Sequence, residues 1–166
     1  MRDPSVSVIV TTFESPATLR RVMLGLVRQT MLPLEVLAAD DGSGPETAAL
    51  LVRLASDLPF PLVHVWQPHA DFRAARSRNN AAFRARGRIL AFLDQDTVPH
   101  ADWLEAHLAG LKPGRLSLGD MLPLDEAAAA RLDEAAIRSG AFETAASAEA
   151  IRRLAALQRK QTLYAG

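Results

Sequence analysis

Residues 89–96 read Ile89-Leu90-Ala91-Phe92-Leu93-Asp94-Gln95-Asp96, five apolar residues that stop at two carboxylates one residue apart. The run is too short for most helices and lies between Gly87 and Pro99. It therefore predicts a buried parallel strand. In open α/β sheets, ligands bind just beyond the carboxyl ends of the strands. Asp94 and Asp96 are thus expected where a sheet presents ligand groups, and paired carboxylate oxygens suit a hard divalent cation. Taken alone, Asp-x-Asp is a weak motif: one Asp can cap the next helix while the other is merely solvated.

The rest of the chain supplies the context. Ser5 to Thr12 is short and β-branched and predicts a first strand. Ser15-Pro16 then predicts a helix start, with Ser15 as N-cap and proline at the first helical position. Leu19, Val22, Met23, Leu26 and Val27 recur at helical spacing, and that helix is expected to end near Gln29-Thr30. Leu34 to Ala39 predicts a second strand, closed by Asp40-Asp41-Gly42-Ser43-Gly44, and Glu46 to Asp57 a second helix. A third strand is expected over Leu62 to Trp66, a third helix over Phe72 to Ala85, and a fourth helix over Ala101 to Leu111. Strands alternating with helices imply a three-layer α/β/α fold with a mostly parallel sheet and right-handed crossovers.

Beyond Pro113 the pattern changes. Arg115 to Leu122 predicts one more short strand, and Asp125 to Ser139 and Ser147 to Leu163 predict alanine-rich, charged helices. On the last of these, Ile151, Leu154, Leu157 and Gln161 form a narrow stripe beside Arg152, Arg153, Arg159 and Lys160. That pattern suits a helix packed on a folded domain, or one lying on anionic lipid. The expected division is a core over residues 1–112 and a helical C-terminal extension over 113–166.

Composition narrows the classes. The 166 residues suit one domain with a real core, and 49% hydrophobic with 23% charged residues is ordinary for a soluble protein. Formal net charge is zero, so no global field argues for nucleic acid. Lys112 and Lys160 are the only lysines, and the arginine excess fits either phosphate binding or a coding bias. Without cysteine there are no disulfides, thiolate metal sites or cysteine nucleophiles. No apolar run approaches the roughly 20 residues that span a bilayer. A soluble, cytoplasmic protein is expected, with association at an inner membrane surface as the variant that the last helix allows.

Polar clusters follow three of the expected strands: Thr11-Thr12-Phe13-Glu14, Asp40-Asp41 and Asp94-Gln95-Asp96. Parallel strands place all three along one sheet edge, which capping chemistry alone does not explain. Within the third helix, Arg76 and Arg78 diverge by roughly 200° and cannot both face a cleft there. His64, His69, His100 and His107 lack metal-ligand spacing and are expected to be structural or exposed. Trp66 and Trp103 read as core or contact residues.

In this order and spacing the residues resemble a known family. Val8-Ile9-Val10-Thr11-Thr12-Phe13, Leu26-Val27-Arg28-Gln29-Thr30 and Ala39-Asp40-Asp41-Gly42-Ser43 look like the opening of family 2 glycosyltransferases. Arg78-Asn79-Asn80-Ala81-Ala82, Gly87 and Phe92 to Pro99 continue it, so that the resemblance covers about Ser5 to Leu111. It implies the Rossmann-like GT-A fold and a site for a nucleoside-diphosphate-sugar, a UDP-sugar favoured. Thr11, Thr12 and Phe13 match the nucleoside pocket and Asp41 the carboxylate that contacts the base. Asp40 matches a turn or ribose position. Glu14 stands where the family often has Asn, and Phe13 where Tyr is common. Arg78, with Arg73 as second choice, matches a diphosphate contact. Asp94 and Asp96 match the pair that holds Mn²⁺ or Mg²⁺, with Asp96 the direct ligand and Asp94, beside Gln95, nearer the ribose or sugar. The implied reaction is metal-dependent, inverting transfer to an unidentified acceptor.

Inversion requires a general base for the acceptor hydroxyl. Asp120, Asp125, Glu126, Asp133, Glu134 and Glu143 lack the family's context for it, and none is nominated. The expectation is a donor-binding half whose acceptor-binding half is truncated away or supplied by a partner, with a homo-oligomer as the other option for its assembly. The alternatives are a relative that binds nucleotide-sugar without catalysis and, less well supported because no P-loop is present, a Mg²⁺-dependent phosphotransferase.

Overall fold

The computed structural model describes residues 5–122, 124 and 126–143. Four strands, β1 (Val6–Thr12), β2 (Glu35–Asp40), β3 (Leu62–Trp66) and β4 (Ile89–Asp94), alternate with α1 (Pro16–Val27), α2 (Pro45–Ala55), α3 (Ala74–Arg84) and α4 (Trp103–Gly110). All pairings are parallel, in the order β3-β2-β1-β4. The chain therefore winds outward from β1 on one side and returns to its other side for β4. This makes the gap between β1 and β4 a topological switch point, where a crevice opens at the strands' carboxyl ends.

Alternation along the strands builds two cores. Val6, Val8 and Val10 of β1 and Val36 and Ala38 of β2 face α1 and α2, together with Leu93 and Leu104. Ile9, Leu37, Ala39 and Val65 face α3 through Ala81. The fold class is the expected three-layer α/β/α arrangement. α3 packs over β1, β2 and β3, leaving β4 at the edge. Leu90 and Phe92 consequently stand 38% and 50% exposed, so β4 is not the fully buried strand expected from its composition.

Local chemistry explains the boundaries. α1 starts at Pro16, but the Ser15 side chain makes no capping bond. Its carbonyl instead accepts from Leu19 N at 3.1 Å. α1 stops at Val27, short of Gln29, because Arg28 N and Gln29 N tighten to the i−3 carbonyls of Gly25 and Leu26 and Thr30 N leaves the helix for Ala101 O at 2.8 Å. The buried Gln29 amide donates to His100 O at 2.7 Å and accepts from Leu104 N at 3.0 Å. The side chain thus satisfies a first-turn N–H of α4.

The C-terminal expectations need two corrections. Residues 115–122 form no strand; Leu116 and Leu118 are about nine-tenths exposed, at 91% and 90%, and without a face to bury, alternation does not make a strand. The single helix expected from Asp125 is two: α5 (Glu126–Ala130) and α6 (Glu134–Ser139). Asp133 separates them because its carboxylate accepts from Ala136 N at 2.7 Å, an N-cap in place of a mid-helix position. α6 docks on α1 with Ile137 fully buried and Glu134 paired to Arg20. The helix expected over Ser147 to Leu163 lies outside the described residues. Among the described residues, no helix is long and apolar enough to cross a membrane.

Candidate functional site

Register levels the strand ends. Thr12 lies opposite Asp40, Asp40 opposite Trp66, and Thr11 opposite Asp94. Above this edge is a cleft of about 460 Å³, lined by Thr11, Thr12, Phe13, Asp41, His69, Asp71, Phe72, Ala74, Arg78, Asp94, Gln95 and Asp96. A second hollow of about 370 Å³ lies between α1 and α2, with Arg20, Glu46 and Arg53 in its lining. Arg20 there is already taken by Glu134.

One end of the cleft is built around Asp41 and two rings. Asp41 is buried, and its carboxylate accepts from Gln67 Nε2 at 2.5 Å and Arg73 N at 2.7 Å. Each carboxylate oxygen retains a further lone pair for a ligand donor. Phe13 and His69 stack with ring centroids 4.6 Å apart and an interplanar angle of 16°. The β1–α1 turn carrying Phe13 is fixed by Gln95, whose Oε1 accepts from Thr12 Oγ1 at 2.7 Å and Phe13 N at 2.9 Å. Gln95 Nε2 donates back to Phe13 O at 3.1 Å.

The other end carries charge. Arg78 reaches across from α3, donating from Nε to Thr11 Oγ1 at 2.8 Å and from Nη2 to Asp94 Oδ1 at 2.5 Å. Both partners of the Arg78–Asp94 pair are at least one-third exposed. An exposed pair of this kind contributes under about 1 kcal/mol to folding. Asp96 is exposed and accepts a long bond from Thr97 Oγ1 at 3.5 Å. Among the described residues, no group of three or more His, Cys, Asp or Glu side chains converges into a metal cage.

Three sequence candidates do not line this cleft. Asp40 is fully buried beneath it, accepting from Ser43 N at 2.8 Å and Gly42 N at 3.2 Å and pairing with His64 Nε2 at 2.7 Å. Burial pushes its carboxyl up, but the hydrogen bonds from His64 and Ser43 outweigh this and hold it below the ordinary Asp value. Of the two roles expected of Asp40, the turn is the one these contacts build. Glu14, in the left-handed region at φ 47°, turns its carboxylate to Gly44 N at 2.6 Å, at the start of α2. Arg73 directs its Nη2 to the Pro68 carbonyl, while its backbone N–H donates to the Asp41 carboxylate. Thr11, Thr12, Phe13, Asp41, Arg78, Asp94, Gln95 and Asp96 are brought together. His69, Asp71 and Phe72 join them unannounced by the sequence, apart from the Pro68 that marks their loop.

A parallel α/β sheet with a polar cleft at its switch point defines a doubly wound domain with a ligand crevice at the strands' carboxyl ends, and the comparisons with known proteins place it. The family model for glycosyl transferase family 2 matches residues 7–118. The chain belongs to that family, and its architecture is the GT-A fold. It is 34% identical over 121 residues to validoxylamine A glucosyltransferase of Streptomyces hygroscopicus subsp. limoneus, a match covering 70% of this chain and 26% of that protein. The chain therefore spans about a quarter of that relative's length. The solved structure of the mannosyltransferase PcManGT from Pyrobaculum calidifontis in complex with GDP-Man and Mn²⁺ superposes with a TM-score of 0.52 at 26% identity, covering 57% of this chain and 28% of that one. S. aureus TarS superposes with a TM-score of 0.54 at 24% identity, covering 63% of this chain and 19% of that one.

Proposed function

We propose that this chain forms the donor site of a glycosyltransferase that moves a sugar, with inversion, from a nucleoside-diphosphate-sugar to an acceptor hydroxyl, aided by Mn²⁺ or Mg²⁺. The observation that carries the reading is the polarity of one cleft. A stacked ring pair beside the Asp41 carboxylate lies at one end, and Arg78, Asp94 and Asp96 at the other. Flat rings suit a base, and a carboxylate accepts from a base N–H, which uracil and guanine both present. A uridine donor is favoured on the family resemblance. The relative that binds GDP-Man and Mn²⁺ supports the donor class. Residues 1–112 are assigned to donor binding and residues 113–166 to an extension.

The donor set fits a divalent cation. Asp41, Asp71, Asp94 and Asp96 face the cleft against the guanidinium of Arg78, so a diphosphate arriving alone meets repulsion. Asp96, with Asp94 beside it, would hold the metal through hard oxygen ligands. When bound, the ion supplies Lewis-acid neutralisation of the charge that develops on the departing diphosphate. Two carboxylates are a weak site by themselves, so phosphate oxygens and water are required to complete it.

The acidic residues of the extension favour a second reading, donor binding without transfer. Glu134 and Glu143 are paired with Arg20 and Arg28. Asp120, Glu126 and Asp133 are absent from the cleft lining. A general base is thus not assigned. Hydrolysis of a UDP-sugar by the isolated chain separates transfer chemistry from binding alone.

The test of the donor site is calorimetric titration with UDP and GDP, with and without Mn²⁺. Binding of at least one nucleotide is expected to tighten tenfold or more, about 1.4 kcal/mol, when Mn²⁺ is present. Failure of both nucleotides to bind in Mn²⁺ would refute the reading. Arg78→Ala is expected to weaken the metal–nucleotide complex about tenfold with little change in folding stability, consistent with the small worth of an exposed pair. Arg78→Lys is expected to rescue poorly, because one ammonium does not reproduce the fork that spans Thr11 and Asp94. A native affinity in Arg78→Ala removes Arg78 from the site.

A further inference from the structure

We propose that His69 is a positioning residue of the donor site, setting Phe13 and Asp41 in the mutual placement that receives a nucleobase. The inference rests on the donor-site reading and adds a residue to it. His69 is exposed at the cleft mouth, yet its ring is held twice. It lies parallel to Phe13 at 4.6 Å, and its Nδ1 is 3.2 Å from the Asp41 carbonyl. A carbonyl oxygen only accepts, so Nδ1 carries the proton and donates. One imidazole therefore joins the end of β1, through Phe13, to the end of β2, through Asp41.

The backbone holds the loop in place. Gly42 has φ 100°, and a Cβ there would lie 2.4 Å from His69 N, so the turn after Asp41 is pressed directly against the His69 backbone. Arg73 N and Gln67 Nε2, on either side of His69 in the chain, both donate to the Asp41 carboxylate. His69 thus sits at the centre of a loop clasped at both ends to the same aspartate. Its ring stacks on Phe13, which remains 40% exposed in the lining of the cleft. A ring already fixed in its bound orientation spares the ligand the cost of ordering it.

The experiment is titration of the full chain with UDP in Mg²⁺ and, as a probe that lacks a base, inorganic pyrophosphate in Mg²⁺. His69→Ala is expected to weaken UDP roughly three- to tenfold, the range of one lost aromatic contact, with pyrophosphate affinity unchanged. His69→Phe, which keeps a stackable ring, is expected to recover most of the loss. His69→Asn, which keeps a side-chain N–H and no ring, is expected to recover less. Native UDP affinity in His69→Ala, or equal weakening of UDP and pyrophosphate, overturns the proposal. Should His69→Ala fail to fold, equal UDP affinities in the Phe and Asn variants overturn it as well. A native chain that binds no UDP or GDP overturns the donor-site reading itself; native binding with a silent His69→Ala overturns this inference alone.

Discussion

Asp96→Ala is expected to abolish the Mn²⁺-dependent part of nucleotide binding, a loss on the order of 100-fold at saturating metal. Asp96 is the carboxylate of the pair that the protein leaves least engaged. Asp94 is committed to Arg78 at 2.5 Å, whereas Asp96 has a marginal 3.5 Å contact from Thr97. The substitution has a second expected signature with the opposite sign. Removing one negative charge from a cleft rich in carboxylates eases entry of a diphosphate, so metal-free UDP affinity is expected to hold or rise slightly. A variant that merely disturbed the fold would weaken both conditions together. Because Asp96 is exposed, thermal stability of the metal-free protein is expected to change by less than about 0.5 kcal/mol. Paired titrations of UDP with and without Mn²⁺ decide the matter. If Mn²⁺ still strengthens UDP binding in Asp96→Ala, the metal assignment fails.

The sheet edge that positions Asp96 was legible in the sequence because apolar runs ending in polar clusters carry both the strand and its direction. β3 appears over the residues that its composition marks, Leu62 to Trp66. The coverage of β4 was not legible: Ile89 to Leu93 is apolar throughout, yet whether a helix lies over both faces depends on where α3 packs, a long-range property. The division of labour among the aspartates was hidden for a similar reason. Asp40 and Asp41 are adjacent and alike in sequence, but successive residues at a strand end point in opposite directions. One carboxylate falls under the turn and the other into the cleft. Arg78 was separable from Arg76 by helical geometry alone, while Arg73 needed the loop conformation to show that its guanidinium serves the Pro68 carbonyl. His69 had no sequence signal of its own, since its role comes from Phe13, fifty-six positions away in the chain and adjacent only after folding.

Glu35 is the other residue that the sequence concealed, a carboxylate at the start of an apolar strand, and Glu35→Ala is expected to cost about 2–4 kcal/mol of folding stability. At the end of the sheet opposite the cleft, Glu35 is 1% exposed and accepts from Ser7 Oγ at 2.7 Å, Arg86 N at 2.6 Å and Arg86 Nε at 2.7 Å. Ser7 Oγ in turn accepts from Gly87 N at 2.8 Å. The carboxylate therefore ties β1, β2 and the approach to β4 together. Arg86 is itself largely exposed, so its guanidinium rehydrates when Glu35 is lost. The cost falls on the buried Ser7 hydroxyl and the Arg86 backbone N–H. Burial pushes the Glu35 carboxyl up, but the bonds from Arg86 and Ser7 prevail and hold it below the ordinary Glu value. A carboxyl with a lowered folded pKa adds stability above its unfolded value, about 4.3, and that contribution is lost as pH falls through the folded value. The stability gap between the native chain and Glu35→Gln, measured by urea unfolding, is therefore expected to be widest near neutrality and to narrow in acid. Native and variant curves that stay parallel from pH 7 to below pH 4 would show that the charge of Glu35 contributes nothing to the strap. Nucleotide affinity at neutral pH and moderate temperature is expected to be unchanged in Glu35→Gln, because the cluster lies at the far end of the strands from Asp41 and Asp96.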